Sequence, residues 1–214
     1  MGVEPSGMGR IGKWPNYTQF DETGHMTFHG NARPWIDELG DALSLQQSGS
    51  GVDKELVENT VRFSSGATYH ATFASADAAV ANLQLNHCKD LSSSIYPHIH
   101  FFQTSNAAPN FLLEYRWQVD FGEKVTAWTK LKCNQIAQPY SGTTKNNIAK
   151  PLTPIPIPEG TTLSDIIQFR IYRDTANASG LFSGADAYSG YASILFFDVH
   201  YQIDSLGSTD EFTK

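Results

Sequence analysis

Phe111-Leu112-Leu113-Glu114-Tyr115-Arg116-Trp117-Gln118-Val119 is the stretch that decides the fold. Phe111, Leu113, Tyr115, Trp117 and Val119 alternate with Leu112, Glu114, Arg116 and Gln118. A strand sends successive side chains to opposite faces, so this period of two predicts a core side and a mostly polar side. The rhythm returns near the C-terminus, where Leu195, Phe197, Val199, Tyr201 and Ile203 alternate with Phe196, Asp198, His200, Gln202 and Asp204. Working outward, further strands are predicted at Val57 to Phe63, Ala67 to Phe73, Ala79 to Leu85, Ile95 to Gln103, Lys124 to Leu131 and Ile166 to Arg173. At Ala79 to Leu85 the alanines leave a short helix open as the alternative. About eight strands separated by turn residues at short intervals predict an all-β, jelly-roll-like antiparallel β-sandwich.

Residues 1–50 read differently. Glycines, prolines and isolated aromatics sustain neither a period of two nor one of 3.6, which predicts an extended N-terminal arm ahead of a sandwich domain at 51–214. Trp14 and Trp35 are its large apolar anchors, suited to docking on the domain or on a neighbouring subunit, and a short helix from Trp35 to Leu45 is a second reading there. Within the domain, residues 150–158 run Lys-Pro-Leu-Thr-Pro-Ile-Pro-Ile-Pro. Pro154, Pro156 and Pro158 fix φ and remove ladder donors, so this strap must run extended, along an edge or as a connector, and reach either its own domain or a neighbour. The loops from Thr104 to Asn110 and from Thr175 to Ser189 are expected to be exposed.

The 214 residues carry 15 basic and 22 acidic side chains, a net charge of -7 with no basic run, so the electrostatic footprint of a nucleic-acid binder is missing. No apolar run is long enough to cross a membrane. Cys88 and Cys133 lack zinc or redox spacing and read as reduced and buried.

His98-Ile99-His100 is the most chemical-looking motif, because two histidines at i and i+2 project from one strand face, with His200 available as a third ligand. A cupin-like metalloenzyme would use such a triad, but the glutamate of the cupin motif is replaced here by Phe101-Phe102-Gln103-Thr104. The favoured reading is a polar layer of His98, His100, Glu114, Arg116, Arg170, Asp198 and His200 on one sheet face or at a subunit contact, with no catalytic residue and no cofactor. There is no Gly-x-Ser-x-Gly elbow and no phosphate-binding glycine loop.

Asn82-Leu83-Gln84-Leu85-Asn86-His87, Tyr96-Pro97-His98-Ile99-His100-Phe101-Phe102, Leu113-Glu114-Tyr115-Arg116-Trp117 and the ending Phe197-Asp198-Val199-His200-Tyr201-Gln202-Ile203-Asp204-Ser205-Leu206-Gly207-Ser208 form a further pattern. Trp35-Ile36-Asp37-Glu38-Leu39 and Arg170-Ile171-Tyr172-Arg173-Asp174 belong to it. The pattern resembles a family of tailed-bacteriophage and prophage virion proteins, departing from it at Asn86-His87, where the family often has Pro-His. The resemblance implies a non-enzymatic structural protein of the virion, assembled in the host cytoplasm. Expected partners are copies of itself, as a homo-oligomer and most simply a trimer, and the major capsid protein or tail proteins. A capsid decoration or cement protein is the first expectation. A tail or fibre-attachment component is the second.

Overall fold

The computed structural model describes residues 9–41, 46–48, 50–55, 60–65, 67, 77–103, 107–118, 127–136, 145–162 and 165–207. Three short strands, β1 (Gly9–Lys13), β2 (Asn16–Phe20) and β3 (Met26–His29), form an antiparallel meander. The body holds β4 (Trp35–Asp41), β5 (Gln46–Ser48), β6 (Val52–Glu55), β7 (Thr60–Phe63), β8 (Ala78–Gln84), β9 (Tyr96–Gln103), β10 (Phe111–Gln118), β11 (Thr129–Ile136), β12 (Lys145–Pro151), β13 (Ile166–Arg173) and β14 (Ala192–Gln202).

The hydrogen-bonded order is β5-β8-β13-β10-β11-β12-β9-β14-β7-β6, all antiparallel, with β4 also paired to β14. The ribbon folds over at β11, whose Thr129–Lys132 half pairs with β10 while its Cys133–Ile136 half pairs with β12. Two four-strand layers result, β8-β13-β10-β11 and β7-β14-β9-β12. From β7 to β14 consecutive strands alternate between the two layers except at the β10–β11 hairpin, which is the winding of a jelly roll. Among the described residues there is no α-helix, and no helix is long and apolar enough to cross a membrane.

The decisive stretch follows its predicted alternation through Gln118, and Val119 lies outside the described residues. Phe111, Leu113 and Trp117 of β10 enter the main core, where they meet Phe63, Ile99, Phe101, Phe169, Ile171, Val199 and Tyr201. Leu112, on the other face, joins Ala78 and Tyr172 in a small second cluster. In β14 the register against β9 slips between Ile194 and Phe196. This bulge places Ile194 rather than Leu195 in the core, and alternation resumes with Phe197, Val199 and Tyr201.

The N-terminal fifty residues pair more than their composition predicts. Residues 9–29 lie outside the two layers as the meander, whose β1 is exposed along its whole length. Phe28 seats it: the side chain packs on the core, and its N–H donates to the Asp204 carbonyl at 2.6 Å. Residues 35–41 are a strand of the body and not a helix, because β14 offers Phe196–Gln202 as a free edge beyond its pairing with β7. The strap extends along its own domain. Ile155, fully buried, bridges to Ile95, while Pro154 and Pro158 are half-buried and Pro156 exposed. Of the expected strand from Lys124 to Leu131, residues 124–126 lie outside the described residues and β11 begins at Thr129, while β12 falls where no strand is predicted. Ala67 is in no strand, and the remainder of the expected strand to Phe73 lies outside the described residues. Cys88 and Cys133 are buried thiols outside any disulfide, and burial pushes the Cys133 thiol far up.

Candidate functional site

The residues expected to form one polar layer divide between the two outer faces of the sandwich. Because Ile99 and Phe101 of β9 and Phe197 and Val199 of β14 point into the core, the alternating His98, His100, Asp198 and His200 must point outward. Glu114, Arg116 and Arg170 stand on β10 and β13, in the opposite layer.

On the β9–β14 face, Asp198 is the centre. It is the cross-strand partner of His98, and its side chain is only 4% exposed. His98 Nδ1 lies 3.9 Å from Asp198 Oδ2, His200 Nε2 lies 3.0 Å from the same oxygen, and His100 Nε2 lies 3.4 Å from Oδ1. Oδ1 is buried and has no hydrogen-bond partner. The edge strand β4 adds Asp37, directly opposite His200 in the register and in contact with its Nε2 through Oδ1. The His98 and His200 rings meet edge to face, 4.4 Å between centroids. Burial holds the His98 imidazole below its ordinary pKa; the Asp198 carboxylate opposes this, and His200, Lys150 and His100 reinforce it. At one end of the cluster Trp35 and Tyr96 pack edge to face at 5.3 Å, both exposed.

The alternative histidine triad weighed from the sequence differs in one member from the set the structure brings together. The set whose ligand atoms converge is His98, Asp198 and His200, with His100 beside Asp198 and outside that set. Two histidines on one face were legible from their i, i+2 spacing. The central role of Asp198 depends on the register of β14 against β9, which no single strand pattern encodes.

Among the described residues, the opposite outer face carries no comparable set of ligands. There Trp128 receives two guanidinium groups, Arg116 at 4.5 Å and Arg170 at 3.6 Å from its ring. Arg116 Nε also donates to Gln168 at 2.6 Å. Glu114, buried, accepts from the Tyr172 hydroxyl at 3.1 Å and pairs with Arg170 at 3.5 Å. Replacing Trp128 by alanine removes two cation–π contacts and is expected to cost about 1–2 kcal/mol, measured by urea denaturation. An unchanged midpoint would mean that the guanidinium groups are held by Glu114 and Gln168 alone.

The remaining predicted residues lie away from both clusters. Trp14 sits at the β1–β2 turn, before the cis peptide to Pro15, and is 79% exposed. The strap prolines contribute no side chain to either polar cluster.

No family model matches the chain, and no curated protein matches it. Among solved structures, a xylan-binding module, CBM15, is 10% identical over 91% of this chain and 95% of its own, with a TM-score of 0.34. TmCBM61, solved in complex with β-1,4-galactotriose, is 11% identical over 78% of this chain and 87% of its own, with a TM-score of 0.26. A chain of infectious bursal disease virus, Gx strain, is 11% identical over 90% of this chain and 41% of its own, with a TM-score of 0.27. All three are similarities of chain path.

Proposed function

We propose that the chain is a structural protein of a bacteriophage particle, a decoration or cement protein that assembles as a homotrimer on the head and contacts the major capsid protein. The observation that carries this reading is the N-terminal meander. Ile11 and Trp14 on it are 69% and 79% exposed, and a three-stranded sheet that small stabilises itself poorly without a covered face. A second apolar patch stands on other elements: Leu152 of the strap is 80% exposed and Leu181 is 41% exposed, and both line one shallow groove beside Lys130 and Lys132. Two unlike patches on one chain suit a head-to-tail contact, which closes into a ring when copies are related by rotation. In this reading the meander of one copy covers the groove of the next, adding buried area without enlarging the core. The resemblance of the His98 and Asp198 strands to tailed-phage virion proteins supports the particle as the setting. The role is assembly and not catalysis.

Light scattering on the purified chain is expected to give three times the monomer mass, and Trp14→Ser with Ile11→Asn is expected to return it to monomer with the β spectrum retained. The same double variant should lose occupancy on particles seen by electron microscopy, where label on the head is expected. A monomeric wild-type chain, or full head occupancy by the variant, overturns the reading; label confined to the tail favours the tail component instead.

A further inference from the structure

The outer face of β9 and β14 gathers side chains of the kind a transition metal takes. One ligand atom from each of His98, Asp198 and His200 lies within 4.8 Å of the others. Donors about 2.0–2.1 Å from a tetrahedral zinc ion stand roughly 3.4 Å apart. Asp198 and His200 already meet that spacing at 3.0 Å, and His98 must close from 3.9 Å, a movement within reach of side-chain rotation.

We propose that His98, Asp198 and His200 form a binding site for a divalent transition metal ion, with Zn2+ the best fit. Two imidazoles and one carboxylate are donors suited to that ion. Three further observations point the same way. Asp198 Oδ1 is buried without a hydrogen-bond partner, a costly state for a carboxylate oxygen that a cation beside it offsets. His100 Nε2, 3.4 Å from that oxygen, stands where an outer partner orients a ligating carboxylate. Asp37 contacts His200 Nε2 from the edge strand, a second carboxylate beside the set though outside it. Lys150 acts on His98 as a like charge to the ion, and the Asp198 carboxylate acts on it more strongly in the opposite sense.

Such an ion would tie β9 to β14 through side chains from both strands. The site does not depend on the assembly reading, since all its ligands come from one chain.

The test uses the full-length chain without a histidine tag, stripped with a chelator and titrated with Zn2+ and, separately, Co2+. One equivalent of Zn2+ per chain by calorimetry is expected, together with a visible Co2+ absorption spectrum of tetrahedral intensity and a higher melting temperature. His200→Gln and His98→Gln should each abolish the Co2+ spectrum, while His100→Gln should weaken affinity about 10–100-fold, as loss of an outer partner does. The wild-type spectrum decides even where a variant fails to fold. No spectrum and no calorimetric binding at neutral pH overturns the site, as does binding that both ligand variants leave unchanged, which would assign the metal to residues elsewhere on the chain.

Discussion

Arg173→Met is expected to destabilise the fold by about 3–5 kcal/mol, the range for removing one partner of a buried ion pair. For a chain of this size that is a loss in melting temperature on the order of 10 °C. Arg173 closes β13 and is 1% exposed. Its Nε donates to Asp186 Oδ2 at 2.7 Å, and its other nitrogens donate to the carbonyls of Phe63, Gly190 and Tyr188. One planar fork thus ties β7, β13 and the 186–190 loop together. The methionine leaves three carbonyls short of a donor and the Asp186 carboxylate, whose side chain is also fully covered, without its cation. Arg173→Lys should recover only part of the loss, because a single ammonium cannot reach partners spread around a guanidinium. Asp186→Asn added to Arg173→Met should cost less than the two changes summed, since the neutral amide no longer needs a cation. Chemical denaturation of the four proteins checks the cycle, and a loss below about 1 kcal/mol for Arg173→Met would show that the loop relaxes and hydrates without cost.

How far the fold was legible follows from where each strand finds its core. β8, β9, β10, β13 and β14 each turn one face into the main core, so their alternation survives in sequence. β12 buries Asn147, Ala149 and Pro151, small or polar residues that write no greasy rhythm, and it was invisible for that reason. β1 buries nothing; a strand without a buried face has no period to read. Trp35-Ile36-Asp37-Glu38-Leu39 mimics the spacing of a helix start, and the open edge of β14, a tertiary partner, makes it a strand. The bulge at Leu195 likewise inverts the inward set for two residues, a shift that strict alternation cannot announce.

The candidate site was half legible for a related reason. His98 and His100 announce a shared face through their spacing alone, whereas choosing between His100 and Asp198 as the convergent donor needs the cross-strand register. That register sets Asp198 opposite His98 and sets His100 opposite Phe196, the last pair before the bulge. The polar residues of β10 and β13 have the same chemistry and the same alternation. Only the fold-over at β11 assigns them to the other layer.

Phe111→Ala is expected to cost about 3–5 kcal/mol, because the position opens a cavity where both layers meet. Phe111 stands on β10 of one layer and is fully buried. Its ring meets Phe101 at 5.1 Å and Phe63 at 6.5 Å, both edge to face and both from the other layer. Edge-to-face pairs add roughly 0.5–1.5 kcal/mol beyond the area they cover, so Phe111→Leu should fall well short of wild type although leucine keeps most of the apolar contact. Leu206→Ala is the matched control: the side chain is 64% exposed, and its truncation should stay within about 0.5 kcal/mol. If Phe111→Ala cost no more than that control, the two layers would not be held by the aromatic contact between β7, β9 and β10, and the strand alternation that begins at Phe111 would owe its burial to something other than packing across the sandwich.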